Sequence, residues 1–233
     1  MSSRIFFYVF LIIFCMSCNK KHSNSNLSIF KYNESAGLNT LDPAFAKDQA
    51  TVWVTNQLFN GLVQLDTSMN VTPSISKSWD ISSDGLVYVF TLRDDIFFHN
   101  HELFKGGIGR RVLASDFEYS FDRITNQDIA APGAWVFSNV ESFSAVNDST
   151  FSIKLINPFP GFLSLLTMQY CSVVPEEIVE GGDFARKPIG TGPFQFQLWK
   201  DGVKLILRKN INYFEEEKGE SLPYLDAIAI TFI

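Results

Sequence analysis

The sequence predicts a mixed α/β fold of the α+β kind. Strand patterns and helical patterns follow one another along the chain without strict alternation, which is typical of sheets with helices packed on them. Hydrophobic residues make up 46% of the chain and phenylalanine occurs 23 times, so the chain can form a hydrophobic core and does not have the composition of a disordered protein. The net charge is −6 and there is no long basic run, which argues against nucleic acid as a partner.

The first residues have the pattern of an export signal. Arg4 supplies a positive charge, residues 5–14 are an unbroken apolar run, and Ser17 precedes Cys18. The apolar run is too short to span a hydrocarbon core of about 30 Å, so it is predicted to be a signal peptide covering residues 1–17. A cysteine after a small residue at this point resembles a bacterial lipobox, which implies that Cys18 is acylated.

The lipobox pattern has one departure, because Cys15 stands where leucine is usual. The alternative is an ordinary signal peptide with an incidental cysteine. The polar residues 18–27 are predicted to be a tether behind the acyl chains. We therefore expect an exported protein that is lipid-anchored in the bacterial cell envelope and faces the periplasm.

The first third of the mature chain contains three predicted elements. Residues 28–33 form a strand candidate. Residues 48–60 have a helical pattern, for which Asp48 is the predicted N-cap and Gly61 the predicted stop. Residues 86–92 are predicted to be a strand that follows a Ser-Asp-Gly turn.

The middle of the chain has a predicted helix and a predicted hairpin. Ser115 and Glu118 are spaced as a capping box, and Phe117, Phe121 and Ile124 follow at helical spacing. Residues 145–155 are predicted to form a hairpin that turns at residues 147–149, with Phe151, Ile153 and Leu155 on one face.

The last third has a short helix and two strands. Residues 162–168 are predicted to form a short buried helix, and Cys171, which has no cysteine partner in the mature chain beyond Cys18, is predicted to be a small buried residue. Val203, Leu205 and Leu207 alternate with polar residues, as in a strand. Residues 225–233 are apolar on both faces, as in a central strand. Because no turn or polar tail follows them, we expect this strand to lack a sheet partner and the chain to be a fragment.

Eight motifs occur in an order that is similar to one protein family. They are LNTLDPA at residues 38–44, QLFNGLVQLD at 57–66, the segment 73–100, VLASDFEYSFDRI at 112–124, NPFPGFL at 157–163, PIGTGPF at 188–194, LRKNINYF at 207–214 and LPYLDAIAITFI at 222–233. Together they resemble the extracellular solute-binding proteins of the peptide/nickel family, family 5. The resemblance covers essentially the whole mature chain.

The resemblance implies a periplasmic-binding-protein-like class II fold with three lobes. Residues 28–45 and 170–233 are then parts of lobe I, residues 46–169 form the inserted lobe II, and lobe III is missing. The implied function is to capture an oligopeptide or dipeptide for the permease subunits of an ABC importer, as a monomer when full length. The same family also carries nickel chelates, heme and oligosaccharides, and these ligands remain alternatives.

The expected ligand contacts lie on two predicted loops and one turn, and all of them are implied by the resemblance. A peptide ligand can be held through its main chain by an irregular segment of small residues, and residues 34–39 have this character. Trp135, on a second loop, and the Gly-Thr-Gly turn at residues 190–192 complete the set. The structural alternative for Trp135 is a core residue, and for the turn it is a tight turn without ligand contact. The candidate residues are Glu34, Ser35, Ala36, Gly37, Leu38, Asn39, Trp135, Gly190 and Thr191.

No enzyme motif is present in the sequence. There is no Gly-x-Ser-x-Gly elbow and no His-Glu-x-x-His sequence, so neither a catalytic residue nor a cofactor is expected. His99 and His101 are a conceivable metal pair without a third ligand, and no metal site is predicted. The basic, glycine-rich segment 99–111, longer than in the family, is predicted to be a mobile loop and not a phosphate-binding P-loop, since no Lys-Ser/Thr pair follows its glycines. An anchored envelope hydrolase and a non-functional remnant remain the other hypotheses.

Overall fold

The computed structural model describes residues 27–233. The predicted export signal and the acylation site at Cys18 lie outside these residues, as does the predicted tether except for Leu27. Among the residues described, no helix is both long enough and apolar enough to cross a bilayer.

The described chain contains strands, α-helices and short 3₁₀ helices. The strands are β1 (Ile29–Glu34), β2 (Val63–Leu65), β3 (Val71–Pro73), β4 (Ser76–Ile81), β5 (Val87–Leu92), β6 (Val140–Asn147), β7 (Thr150–Leu155), β8 (Phe194–Lys200), β9 (Lys204–Lys209), β10 (Glu216–Glu217), β11 (Glu220–Ser221) and β12 (Ala227–Phe232). The α-helices are α1 (Gln49–Leu58), α2 (Ala114–Thr125), α3 (Phe162–Leu165) and α4 (Glu176–Gly181). The 3₁₀ helices are Pro43–Phe45, Lys105–Gly107, Pro132–Phe137 and Gln169–Cys171. The predicted mixed fold is confirmed.

The first sheet has the strand order β1-β12-β9-β8. β1 runs parallel to β12, and the other neighbours are antiparallel. Ile228 and Ile230 of β12 are buried on the same side, as the period-two geometry of a strand requires. β12 is therefore a central strand, as predicted. The expectation that it lacks a sheet partner is wrong, because it is hydrogen-bonded along both edges.

The second sheet has the order β4-β5-β7-β6 and is entirely antiparallel. α2 packs against β6 and β7. Phe117 and Phe121 of this helix are fully buried against Phe151 of β7, with ring centroids 5.8 Å and 5.5 Å away. The helical spacing of these residues and the hairpin of residues 145–155 are thus confirmed, and the hairpin begins earlier, at Val140.

Three predicted helix ends differ from the structure. α2 begins at Ala114, so Ser115 lies in its first turn and is not the N-cap. Asp116 accepts a hydrogen bond from the Leu113 N–H (2.8 Å), while Glu118 instead accepts one from the Ala145 N–H on β6 (3.1 Å). The third residue after the N-cap is therefore Asp116, and the Ser115–Glu118 capping box does not form.

The other two differences lie at helix C-termini. α1 is capped at Asp48 as predicted, where the carboxylate accepts from the Thr51 N–H (2.9 Å). It ends at Leu58 and not at Gly61, because Phe59 turns to an extended conformation and packs against Phe184. α3 is only four residues long, and the Gln169–Cys171 3₁₀ helix follows it with Cys171 buried, as expected.

The lobe limits inferred from the resemblance stay a prediction. The strands of the first sheet fall in the segments 28–45 and 170–233, and those of the second sheet fall in 46–169. α1, however, packs against β8 of the first sheet, although the predicted limit at residue 45 assigns it to lobe II.

Candidate functional site

The segment after β1 is exposed and has free main-chain groups. Ser35, Ala36 and Gly37 are exposed, whereas the next residue, Leu38, is buried and anchors the segment to the core. Glu34 accepts a hydrogen bond from the Ala36 N–H (3.0 Å). The N–H and C=O of Gly37 make no hydrogen bond to any described residue, and a Cβ at this position would meet no atom within 4 Å. This segment therefore presents backbone to open space.

An ion pair holds the next part of this segment against α2. Asp42 is buried, caps the 3₁₀ helix through the Ala44 N–H (3.0 Å) and pairs through both carboxylate oxygens with Arg123. The Leu41 N–H also donates to the Ala185 C=O (2.8 Å). The exposed residues 35–37 are thus followed by a segment, residues 41–44, that is fixed to the rest of the fold. Sequence reasoning missed this pair, because its two members are 81 positions apart.

A cavity of about 330 Å³ lies between this fixed segment and the loop that carries Trp135. Its walls come from the segment 39–48 and from the 3₁₀ helix Pro132–Phe137, and they are formed by Asn39, Thr40, Phe45, Lys47, Asp48 and Pro132. Residues three apart in a 3₁₀ helix lie on one face, so Trp135 lies on the same face as Pro132. The Trp135 side chain is 53% exposed. Asn39 and the loop that carries Trp135 therefore meet at one cavity.

The Gly190-Thr191 turn lies in the interior. Thr191 is 1% exposed, and its hydroxyl donates to the Asn60 side-chain oxygen (3.0 Å). A Cβ on Gly190 would lie 2.1 Å from the Leu58 carbonyl oxygen. Glycine is thus required here by close backbone packing, which favours the plain-turn alternative over ligand contact.

His99, in the segment that follows β5, contacts this turn through both of its ring nitrogens. Its Nε2 lies 3.0 Å from the Gly192 carbonyl oxygen, and its Nδ1 lies 3.4 Å from the Gly190 N. A carbonyl can only accept and an N–H can only donate, so the neutral ring carries its proton on Nε2. Burial lowers the pKa of His99 to about 4, and the nearby Arg208 charge adds to this shift.

These contacts leave His99 no nitrogen for a metal ion. The Nδ1 of His101 accepts from the Leu103 N–H (3.3 Å). Within residues 27–233 there is no group of three or more His, Cys, Asp or Glu residues that could hold a metal. The structure therefore gives no support to the conceivable His99–His101 pair.

The glycine-rich segment 99–111 is packed at its far end. Gly106 and Gly107 have positive φ values of 69° and 74°, which glycine adopts readily. A Cβ on Gly109 would overlap the Phe98 carbonyl oxygen at 1.8 Å. Arg110 pairs with both Asp116 and Glu177, so its charge is neutralised within the fold and is not offered to a phosphate.

A second, apolar cavity of about 570 Å³ lies between α1 and the first sheet. Phe30, Tyr32, Trp53, Ile228 and Ile230 are among the residues that line it. Phe30 and Trp53 are about half exposed. We call this feature the apolar groove. It lies on the face of the sheet that carries the buried side chains of β12.

The sequence matches a family profile and is similar to several characterised proteins. The profile described as "Bacterial extracellular solute-binding proteins, family 5 Middle" matches residues 70–233. The chain is 28% identical over 191 residues to the glutathione-binding protein GsiB of Salmonella typhi, covering 81% of this chain and 35% of that protein. It is 29% identical over 177 residues to the di/tripeptide-binding protein 2 of Pseudomonas aeruginosa, covering 68% of this chain and 33% of that protein.

The fold is similar to that of a solved binding protein. The periplasmic binding protein DppA of Helicobacter pylori, in complex with the peptide STSA, superposes with a TM-score of 0.77 at 29% identity. The match covers 88% of this chain and 42% of DppA. The chain thus spans well under half the length of these relatives. Because the family profile matches more than half of the sequence, the chain belongs to the bacterial extracellular solute-binding proteins of family 5.

Proposed function

We propose that the chain is part of a solute-binding protein that captures peptides outside the cytoplasmic membrane and delivers them to the permease of an ABC importer. The exposed backbone of Gly37 carries this proposal, because an N–H and a C=O without partners can bond the main chain of any peptide. The relatives named as di/tripeptide-binding and glutathione-binding proteins support it. In this role the protein binds its ligand and does not transform it.

The site that we propose consists of residues 34–39 and Trp135. The small residues of the segment allow a ligand backbone to approach closely, and the Trp135 ring offers a flat apolar surface to a ligand side chain. Gly190 and Thr191 are not included in the proposed site, since they are buried. We propose that the full-length protein covers the ligand from the other side with lobe III and that it acts as a monomer.

Isothermal titration of the purified chain with a mixture of di- to pentapeptides tests the proposal. We expect saturable binding that Trp135→Ala weakens about tenfold, as loss of a contact aromatic does. Trp53→Ala is the matched control, because Trp53 is 52% exposed and lies in the apolar groove. A chain that ignores every peptide but binds a nickel chelate, heme or an oligosaccharide would contradict the peptide assignment.

The export signal and the lipid anchor are a further part of this proposal. The apolar run before Cys18 supports acylation at that cysteine. Replacing Cys18 by Ser is expected to move the protein from the membrane fraction to the soluble fraction of the expressing cells. An unchanged membrane association of this variant would be incompatible with acylation at Cys18.

A further inference from the structure

A third cavity, of about 310 Å³, lies between the end of α1, strand β2 and the segment 167–172. None of the residues that line it carries a charge. It shares no lining residue with the cavity beside Trp135. Its polar lining consists of amide and hydroxyl side chains, namely Asn56, Asn60, Gln64, Ser74, Thr167, Gln169 and Ser172.

Ser74 has a buried hydroxyl without a partner. The residue is 3% exposed, and its Oγ makes no hydrogen bond to any described residue. Ser76, two positions further on, donates its own hydroxyl to the Leu62 carbonyl oxygen (2.7 Å). Buried polar groups in native proteins are nearly always paired with protein, water or a ligand. The Ser74 hydroxyl at the wall of a cavity is therefore a group that a ligand can satisfy.

The amides of the cavity present both donors and acceptors. The Gln169 NH₂ donates to the Asn56 side-chain oxygen, which leaves the Asn56 NH₂ and the Gln169 oxygen without partners among the described residues. Asn60 is already engaged, because it accepts from Thr191 and donates to the Tyr213 hydroxyl (3.1 Å). A free donor and a free acceptor thus lie side by side, with the hydroxyls of Ser74 and Ser172 on the same cavity.

This arrangement selects for a neutral ligand with several hydroxyl groups. An ion would lose its hydration without meeting an opposite charge, and an apolar ligand would leave the amides and hydroxyls unpaired. A hydroxyl group both donates and accepts, so adjacent hydroxyls match an amide pair. Phe59 and Met168 add apolar contact for ring carbons. We propose that this cavity binds a neutral polyol of monosaccharide size, at a site distinct from the peptide site.

Saturation-transfer NMR and titration of the purified chain with D-glucose, N-acetylglucosamine and myo-inositol test the proposal. We expect saturable binding of at least one of them, weakened about fivefold or more by Ser74→Ala and by Gln169→Ala. Ser78→Ala, on the exposed side of β4, should leave the affinity unchanged. Without ligand, Ser74→Ala should be at least as stable as the wild type, because its hydroxyl makes no internal bond.

Three results would overturn the proposal. The first is no saturable binding of any of these polyols to the folded chain. The second is binding that both Ser74→Ala and Gln169→Ala leave unchanged, which would locate the polyol elsewhere. The third is a clear loss of stability in unliganded Ser74→Ala, since the hydroxyl would then have a structural partner. The peptide titration uses other residues, so either proposal can fail without the other.

Discussion

The His99 side chain links two distant parts of the chain through hydrogen bonds. The ring donates from Nε2 to Gly192 and accepts at Nδ1 from Gly190, and the His99 N–H also donates to the Gly190 carbonyl oxygen (2.8 Å). Only the neutral ring with one tautomer can make both ring contacts. Protonation of His99 would place a second N–H against the Gly190 N–H, and it would charge a buried group beside Arg208.

The His99 pKa of about 4 gives a pH dependence of stability. In the unfolded chain the pKa of histidine is near 6.5, so between these two values the unfolded state binds more protons than the folded state, and stability decreases as the pH decreases. The stabilising contribution is complete above pH 6.5 and is lost as the pH falls towards 4. We expect the free energy of unfolding to drop by about 2 kcal/mol between pH 7 and pH 5 from this residue.

Urea unfolding at the two pH values checks this prediction in His99→Gln, which keeps a donor and an acceptor but cannot titrate. The pH-dependent loss should shrink by most of that amount in the variant. His101→Gln is the control, because His101 is half-buried and makes only a local contact. An equal loss in all three proteins would show that His99 is protonated at its ordinary pKa.

Single residues were predictable where their role is local. Asp48 is recognisable as an N-cap because its partner, Thr51, is three positions away. The roles of His99 and Asp42 depend on partners more than 80 positions distant, and no local pattern encodes such contacts.

At the scale of elements, the segment after β1 depends on the ion pair between Asp42 and Arg123. The pair is nearly buried, with side-chain exposures of 5% and 12%, whereas the Arg93–Asp95 pair is at 54% for Asp95 and 34% for Arg93. Removing one partner of a buried pair leaves an unpaired charge in the interior. The same change at an exposed pair costs little, because water replaces the partner.

We therefore expect Arg123→Met to lower the free energy of unfolding by about 3 kcal/mol, and Arg93→Met to lower it by less than about 1 kcal/mol. Urea denaturation midpoints of the two variants measure the difference. Because Asp42 also caps the Pro43–Phe45 3₁₀ helix, Arg123→Met should loosen residues 38–45 in hydrogen exchange. Equal midpoints for the two variants would argue against a supporting role for the buried pair.

Elements were predictable where their periodicity is strong. The apolar faces of α2 and of the β6–β7 hairpin follow directly from residue spacing. Helix ends were less predictable, since two carboxylates near the start of α2 have different partners. Asp116 occupies the N3 position and accepts from the Leu113 N–H, whereas Glu118 accepts from the Ala145 N–H on β6, a contact that only the folded structure creates.

At the scale of the whole molecule, the order of eight motifs predicted the fold, because it resembles their order in the family 5 solute-binding proteins. The pairing of β12 on both edges was not predictable from its own sequence. Its neighbours are β1, near the start of the described chain, and β9. The position of α1 against the first sheet was missed for the same reason, since its apolar residues do not specify a partner.

The apolar groove predicts how the isolated chain behaves in solution. Contiguous exposed apolar surface binds hydrophobic dyes and promotes association. We expect the chain to enhance ANS fluorescence, and the double variant Phe30→Ser, Trp53→Ser to reduce that enhancement to about half. Ile211→Ser is the control, because Ile211 is 80% exposed and lies outside the groove. If the control reduces the signal as much as the double variant, the groove is not the binding surface.

The parallel pairing of β1 with β12 sets an order of events during biosynthesis. Ser28 and Asp226, at the start of this pairing, are 198 residues apart, and β12 is the strand neighbour of β1 in the sheet. A ribosome adding 5–20 residues per second needs about 10 to 40 s to cover that distance. During this interval β1 has no strand of residues 27–233 to pair with. The first part of the described chain to be made is therefore among the last to join its sheet.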